Sequence, residues 1–203
     1  MTPPRAVIFD LGKVLLDFDY DIAVGRLVPG AELEAESLRT FLFSDSLLSA
    51  YESGRLSSEA FFERMRTVAG IRLDYPQFRE AFGDIFVPIT PMIEAQAELR
   101  RNRVPTFILS NTNEIAVCHI GRRYPFFANF DGYVLSYEVG ALKPDAPIYE
   151  VVELRTGCRG GELFYLDDRQ ENVDAAERRG WRAVVHADPA ASIRALRECG
   201  LLA

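Results

Sequence analysis

The chain is expected to fold as an α/β protein: a parallel sheet flanked by helices, with an all-helical module inserted after the first strand. Three observations lead there. Five short apolar runs are continuous rather than alternating, as in strands covered on both faces. Helical periodicity and capping signals fill the stretches between them, so strand and helix alternate. And Ser110 lies 100 positions after Asp10, whereas a βαβ crossover needs only ~30.

The strands are read at Ala6–Phe9, Thr106–Leu109, Tyr133–Leu135, Leu163–Leu166 and Ala183–Val185. Thr90-Pro91 reads as an N-cap and first-turn proline, followed by Met92, Ala95 and Leu99 on one face. Asp188-Pro189 repeats the device, with Ile193 and Leu196 apolar and Gly200 as the stop. Two further helices run from Asp145 through Arg155 and from Glu171 through Arg179. The excess after the first strand, roughly Leu16 to Pro88, also reads as helices. Ser57 caps a segment with Phe61, Met65 and Val68 on one stripe and Gly70 as its stop. Phe78, Phe82 and Phe86 recur every four residues. Residues 1–15 and 89–203 are thus expected to form the α/β core, and 16–88 a helical cap.

Composition narrows the class. The chain has 203 residues, 48% apolar and 26% charged, which fits a folded domain with an insertion and excludes collagen, a disordered tail or a disulfide scaffold. Its net charge of −7 disfavours a nucleic-acid partner. Cys118, Cys158 and Cys199 are odd in number and far apart, which argues for a reducing compartment and against zinc; small buried hydrophobes are the expected use. The apolar run ending at Asp10 is too short for a signal-peptide core, and no stretch approaches the ~20 apolar residues of a membrane span. A cytoplasmic protein with no membrane partner is the expectation; the oligomeric state is not legible.

In open α/β sheets ligands bind beyond the carboxyl ends of the strands. There the chain places Asp10-Leu11-Gly12-Lys13, Ser110-Asn111-Thr112-Asn113, Ser136 with Leu142-Lys143-Pro144, and Asp167-Asp168. An aspartate after a strand is often only a helix cap; four polar groups converging in this order are harder to produce by chance.

This ordered set resembles the haloacid dehalogenase superfamily of phosphohydrolases. The matching pieces are Phe9-Asp10-Leu11-Gly12-Lys13-Val14-Leu15, Leu109-Ser110-Asn111-Thr112-Asn113, Leu142-Lys143-Pro144 and Leu166-Asp167-Asp168-Arg169-Gln170-Glu171-Asn172. It is most similar to the branch with a final Asp-Asp-x-x-x-Asn motif, which includes bacterial sugar-phosphate phosphatases and the phosphatase domain of soluble epoxide hydrolase. The resemblance spans Ala6 to about Val185 and implies a Rossmann-like core with a helical cap. It implies a phosphatase of a small phosphorylated metabolite, such as glucose 1-phosphate. Asp10 is then the nucleophile that forms an aspartyl-phosphate. Asp10, Asp168, Asp167 and the backbone carbonyl of Gly12 would hold Mg²⁺, with Asp168 direct and Asp167 direct or through water. Lys143 would neutralise charge, while Ser110, Asn111 and nearby N–H groups would bind the phosphoryl oxygens.

One position departs from the pattern. Most such phosphatases carry a second aspartate, the general acid and base, where this chain has Gly12. That function is typically worth ~10²–10⁴-fold. Three consequences stay open: a slow enzyme favouring good leaving groups, a substitute acid with Asp17 or Asp19 nearest in sequence, or a chain that is not a phosphatase. A metal-independent 2-haloacid dehalogenase and a catalytically impaired phosphate-binding or interaction protein are the alternatives. Asp17, Asp19 and Asp21 otherwise cap or solvate the start of the insert. Lys13 leans toward the phosphate or faces water. Asn172 orients Asp168 or sits on a helix surface. Tyr20, Phe41, Phe43 and Tyr51 line the pocket or pack the core. His119 fits no catalytic role, His186 reads as a polar loop residue and Trp181 as packing.

Overall fold

The first strand, β1 (Ala6–Phe9), is buried along its whole length. It belongs to a computed structural model that describes residues 3–43 and 47–203. A short strand β2 (Leu16–Phe18) follows, then, among the described residues, five α-helices: α1 (Tyr20–Leu27), α2 (Ala35–Leu42), α3 (Leu47–Glu52), α4 (Ser58–Ala69) and α5 (Tyr75–Gly83). Strand β3 (Phe86–Pro88) pairs antiparallel with β2. The chain then alternates: α6 (Thr90–Arg101), β4 (Thr106–Ser110), α7 (Glu114–Arg123), β5 (Gly132–Leu135), the single turn α8 (Ser136–Val139) and α9 (Ala146–Thr156). It ends with β6 (Leu163–Asp167), α10 (Gln170–Arg178), β7 (Arg182–Val185) and α11 (Pro189–Glu198).

The main sheet is parallel, in the order β5-β4-β1-β6-β7. Successive strand residues point to opposite faces. Val7 and Phe9 therefore pack with Met92 and Leu99 of α6 and Leu196 of α11, while Ala6 and Ile8 pack with Ile148 and Val152 of α9 and Ala176 of α10. Covering both faces is why the strand sequences are apolar without alternation. Because β1 is central and the chain steps first to one side and then to the other, its carboxyl end lies at the switch point where such folds bind ligands.

The five helices between β2 and β3 bury a separate core. Leu27, Leu38, Leu42, Tyr51, Phe61, Met65, Phe78 and Phe82 meet there, joined by Ile115 from α7. Tyr51 stacks on Phe61 at 4.4 Å and Phe78 on Phe82 at 5.7 Å. Ser57 accepts from the Ala60 N–H and Gly70, at φ 65°, ends α4.

Several details differ from the sequence reading. Residues 16–18 and 86–88 form a two-stranded ribbon, so the helices begin only at Tyr20 and Phe86 lies in β3 instead of continuing the Phe78–Phe82 stripe. Val68 is 43% exposed; Ala69, four residues beyond Met65, takes the inward position. Thr90 is the first residue of α6, and its N-cap Ile89 makes no side-chain bond. Of the three free cysteines only Cys158 is buried. His186 is buried too: its N–H donates to the Asp167 carbonyl at 2.8 Å, and its Nδ1 pairs with Ser192 at 2.7 Å. Trp181 packs on Tyr149 and Tyr165, as expected, and donates Nε1–H to Glu153 at 3.0 Å. No helix among the described residues is long and apolar enough to cross a membrane.

Candidate active site

The parallel sheet brings the carboxyl ends of β1, β4 and β6 side by side, and with them Asp10, Asn111 and the Asp167-Asp168 pair. A cavity of about 180 Å³ opens there, lined by Asp10, Gly12, Lys13, Asn111, Lys143, Asp168, Arg169 and Asn172 from the core and by Phe18 and Glu52 from the insert.

Lys143 sits at the centre of the charge arrangement. Its ammonium donates to the Leu109 carbonyl at 3.1 Å and to Asp167 Oδ2 at 2.6 Å, and lies 2.9 Å from Asp10 Oδ1. Those contacts use all three of its protons. Burial would depress this ammonium, but Asp10 and Asp167 outweigh it and hold its pKa above the ordinary value. The Lys143 backbone is fixed in turn by Asn111, whose Oδ1 accepts the Lys143 N–H at 2.8 Å while its Nδ2 donates to the Lys143 carbonyl at 3.0 Å. The Asn111 side chain thus positions Lys143, a use that the expected phosphoryl contact left out.

Asp167 is fully buried and accepts from all sides: Lys143 and the Tyr165 hydroxyl on Oδ2, and the Arg169 N–H and Asn172 Nδ2, each at 2.9 Å, on Oδ1. Burial alone would raise this carboxyl; Lys143 and these donors overcome it and hold it below the ordinary range. Asn172 therefore orients Asp167, not Asp168, and is buried rather than on a helix surface. Asp168 is half-buried and pushed upward by burial and by Asp167. Asp10 is pushed upward by burial and by both other aspartates, against the pull of Lys143. Its Oδ1 carries the Leu11 N–H bond at 2.7 Å and the Lys143 contact.

One carboxylate oxygen from each of Asp10, Asp167 and Asp168 lies within 4.8 Å of the others. All three are hard oxygen donors, and they face a single buried ammonium. This chemistry fits a divalent cation such as Mg²⁺. Asp10 and Asp168 have lone pairs to offer; those of Asp167 are engaged by its four donors.

Ser110 is buried at the end of β4, its Oγ 3.3 Å from the Asn111 carbonyl, and does not line the cavity. Lys13, at φ 58°, lines it while donating to Asp17 and to the Phe18 carbonyl at 2.8 Å. Asp19 caps α1 through the Asp21 N–H, and Asp21 pairs with Arg39. Of the aromatic candidates, Tyr51 is core and Tyr20 packs between Phe18, Phe43 and Phe82. Three contributors have no place in the sequence reading. Tyr165 stands two residues before Asp167, on the same face of β6, and strand periodicity would have found it. Glu52 and Phe18 arrive from the insert, and no spacing announces them.

With this geometry in hand, residues 4–180 match the profile of haloacid dehalogenase-like hydrolases. A D-ribitol-5-phosphate phosphatase of Bacteroides thetaiotaomicron is 22% identical over 87% of this chain and 89% of its own. A sesquiterpene phosphatase of Aspergillus oryzae is 24% identical over 96% and 95%. The solved structure of a HAD family enzyme of B. thetaiotaomicron, in complex with magnesium and inorganic phosphate, superposes with a TM-score of 0.80 at 23% identity, covering 90% of this chain and 93% of that one. A cluster of carboxylates around a buried lysine at the carboxyl edge of a parallel sheet accompanies a family match across most of the chain, and the chain belongs to the haloacid dehalogenase-like hydrolases.

Proposed function

We propose that the protein is a Mg²⁺-dependent phosphomonoesterase of a small phosphorylated metabolite, and that it works through an aspartyl-phosphate on Asp10. The observation that carries this reading is the meeting of Asp10, Lys143 and Asp168 in one cavity, beside a cluster of carboxylate oxygens from Asp10, Asp167 and Asp168 that suits a hard cation. In this reading Asp10, Asp168 and the Gly12 carbonyl hold the ion, and Asp167 positions Lys143 beside it. Mg²⁺ bound there would offset the charge of the carboxylates and of the phosphoryl group.

The chain's own residues supply the rest. Lys143 and the Leu11 N–H pin Asp10 Oδ1, which leaves Oδ2 to attack phosphorus. The P–O bond to the alcohol breaks, and water later hydrolyses the aspartyl-phosphate. Residues 16–88 serve as a cap over the core of 1–15 and 89–203, with the β2–β3 ribbon as the double connection between them. The cavity of about 180 Å³ is smaller than the ~300–1,000 Å³ usual for ligand pockets, which favours a phosphoryl group on a compact alcohol.

A panel of phosphorylated metabolites, glucose 1-phosphate and ribitol 5-phosphate among them, tests the proposal. Phosphate release is expected with Mg²⁺, and none with EDTA or with D10N. Release equal to that of D10N for every ester refutes the reading. Halide release from 2-haloacids, insensitive to EDTA, would instead establish a dehalogenase.

A further inference from the structure

We propose that Glu52, carried by the helical insert, is the general acid and base of this phosphatase, in place of the carboxylate that Gly12 lacks. The inference rests on the phosphatase reading above. Among the described residues, three that line the cavity are carboxylates: Asp10, Asp168 and Glu52. Asp10 and Asp168 are taken by attack and by metal. The two acids nearest in sequence are not lining residues: Asp17 is ion-paired with Lys13, and Asp19 caps α1. His186 is held by Ser192 away from the lining.

The structure fixes the Glu52 backbone where α3 meets the core. Ser136, which accepts the Thr112 N–H at 2.9 Å, donates its hydroxyl to the Glu52 carbonyl and so ties the end of α3 to the end of β5. Two residues on, Gly54 lies at φ 70° with its missing Cβ directed into the Tyr137 carbonyl, so only glycine allows this close approach. The carboxyl lies 3.5 Å from the Tyr20 hydroxyl. A general acid must sit at a fixed position near the leaving oxygen, and an anchored backbone in the cavity wall meets that need.

Its protonation suits both halves of the reaction. Burial pushes Glu52 up to about 7, against the opposing pull of Tyr20, Lys143 and Arg169. Lys13, Asp10 and Asp168 are the other charged groups lining the cavity. In the first step Asp10 bonds to phosphorus, the P–O electron pair goes to the leaving oxygen, and the Glu52 proton follows it to give the neutral alcohol. In the second, Glu52 carboxylate takes a proton from water as that oxygen bonds to phosphorus. The pair of the breaking bond returns to Asp10, and inorganic phosphate leaves with Glu52 reprotonated.

The test compares wild type and E52Q, with Mg²⁺, on phosphate esters graded from p-nitrophenyl to simple alkyl. Because kcat/KM reports the step that expels the alcohol, E52Q is expected to lose ~10²–10⁴-fold on alkyl esters and little on p-nitrophenyl phosphate. The latter should show a burst of p-nitrophenol followed by slow turnover, since the base for the second step is gone. In wild type, kcat/KM for alkyl esters should fall above about pH 7, and E52Q should lack that limb. E52D, which keeps the acid, should restore part of the alkyl-ester rate. An equal loss across the series, a change in KM alone, or no loss would overturn the assignment. Absence of phosphate release by wild type from every ester would instead remove the phosphatase reading on which it stands.

Discussion

The Phe18 ring stands 2.7 Å from the point where a Cβ on Gly12 would lie. An aspartate at position 12 is therefore not merely missing; the ring occupies its space, held by Tyr20 at 5.6 Å and Phe86 at 6.1 Å. Restoring the acid by G12D alone is expected to destabilise the protein by ~1–3 kcal/mol through overpacking. In an F18A background the same substitution should do less harm. Denaturant unfolding of the two single variants and the double variant checks this as a coupling energy. Additive effects would mean that the ring is not what excludes a side chain there.

Asp10 shows the tension between stability and chemistry. Its carboxyl is held above the ordinary pKa, so folding favours the protonated form. Between the unfolded value near ~4 and the raised folded value, its ionisation makes stability fall as pH rises. D10N removes that penalty. Without Mg²⁺ the variant should equal or exceed wild type in Tm at pH 8, with the advantage gone at pH 4, while phosphate release is abolished. Thermal scans at the two pH values decide it.

Lys143 has the opposite sign. It holds Asp167 below its ordinary range, so this pair adds stability above the unfolded pKa of Asp167 and loses it as pH falls through the folded one. K143A leaves buried carboxylates without a counter-charge and should cost about 3–5 kcal/mol at neutral pH. Its deficit should shrink in acid, where those carboxylates protonate. A pH-independent deficit from urea unfolding would show that packing, not charge, is what Lys143 supplies.

Gly54 reports on the docking of the insert. G54A forces a Cβ against the Tyr137 carbonyl at a left-handed φ, so it should cost more than the ~1 kcal/mol of an ordinary Gly-to-Ala conflict. The expected readouts are faster hydrogen exchange in α3 and a fall in kcat/KM, with exchange in β1 and β6 unchanged. Protection lost throughout the molecule would point to global unfolding instead.

What the linear sequence determined by itself is local or periodic. Continuous apolar runs identified the central strands, because a strand covered on both faces has no polar side to show. Asp188 and Ser57 marked helix starts, because an N-cap needs an acceptor two or three residues before its N–H. Much of the candidate site was legible for the same reason: Asp10 follows β1, Asp167 ends β6 with Asp168 next, and parallel strands bring such ends to one edge, whereas Lys143, in the loop after α8, was marked by the family resemblance. Tertiary packing decided the rest. Asn172 turns to Asp167, Asn111 is occupied with the Lys143 backbone, and Val68 faces out, because side-chain direction depends on neighbours distant in sequence. Glu52 and Phe18 belong to this second class. They reach the cavity only through the way the insert folds back on the core, and the fate of position 12 rests with them.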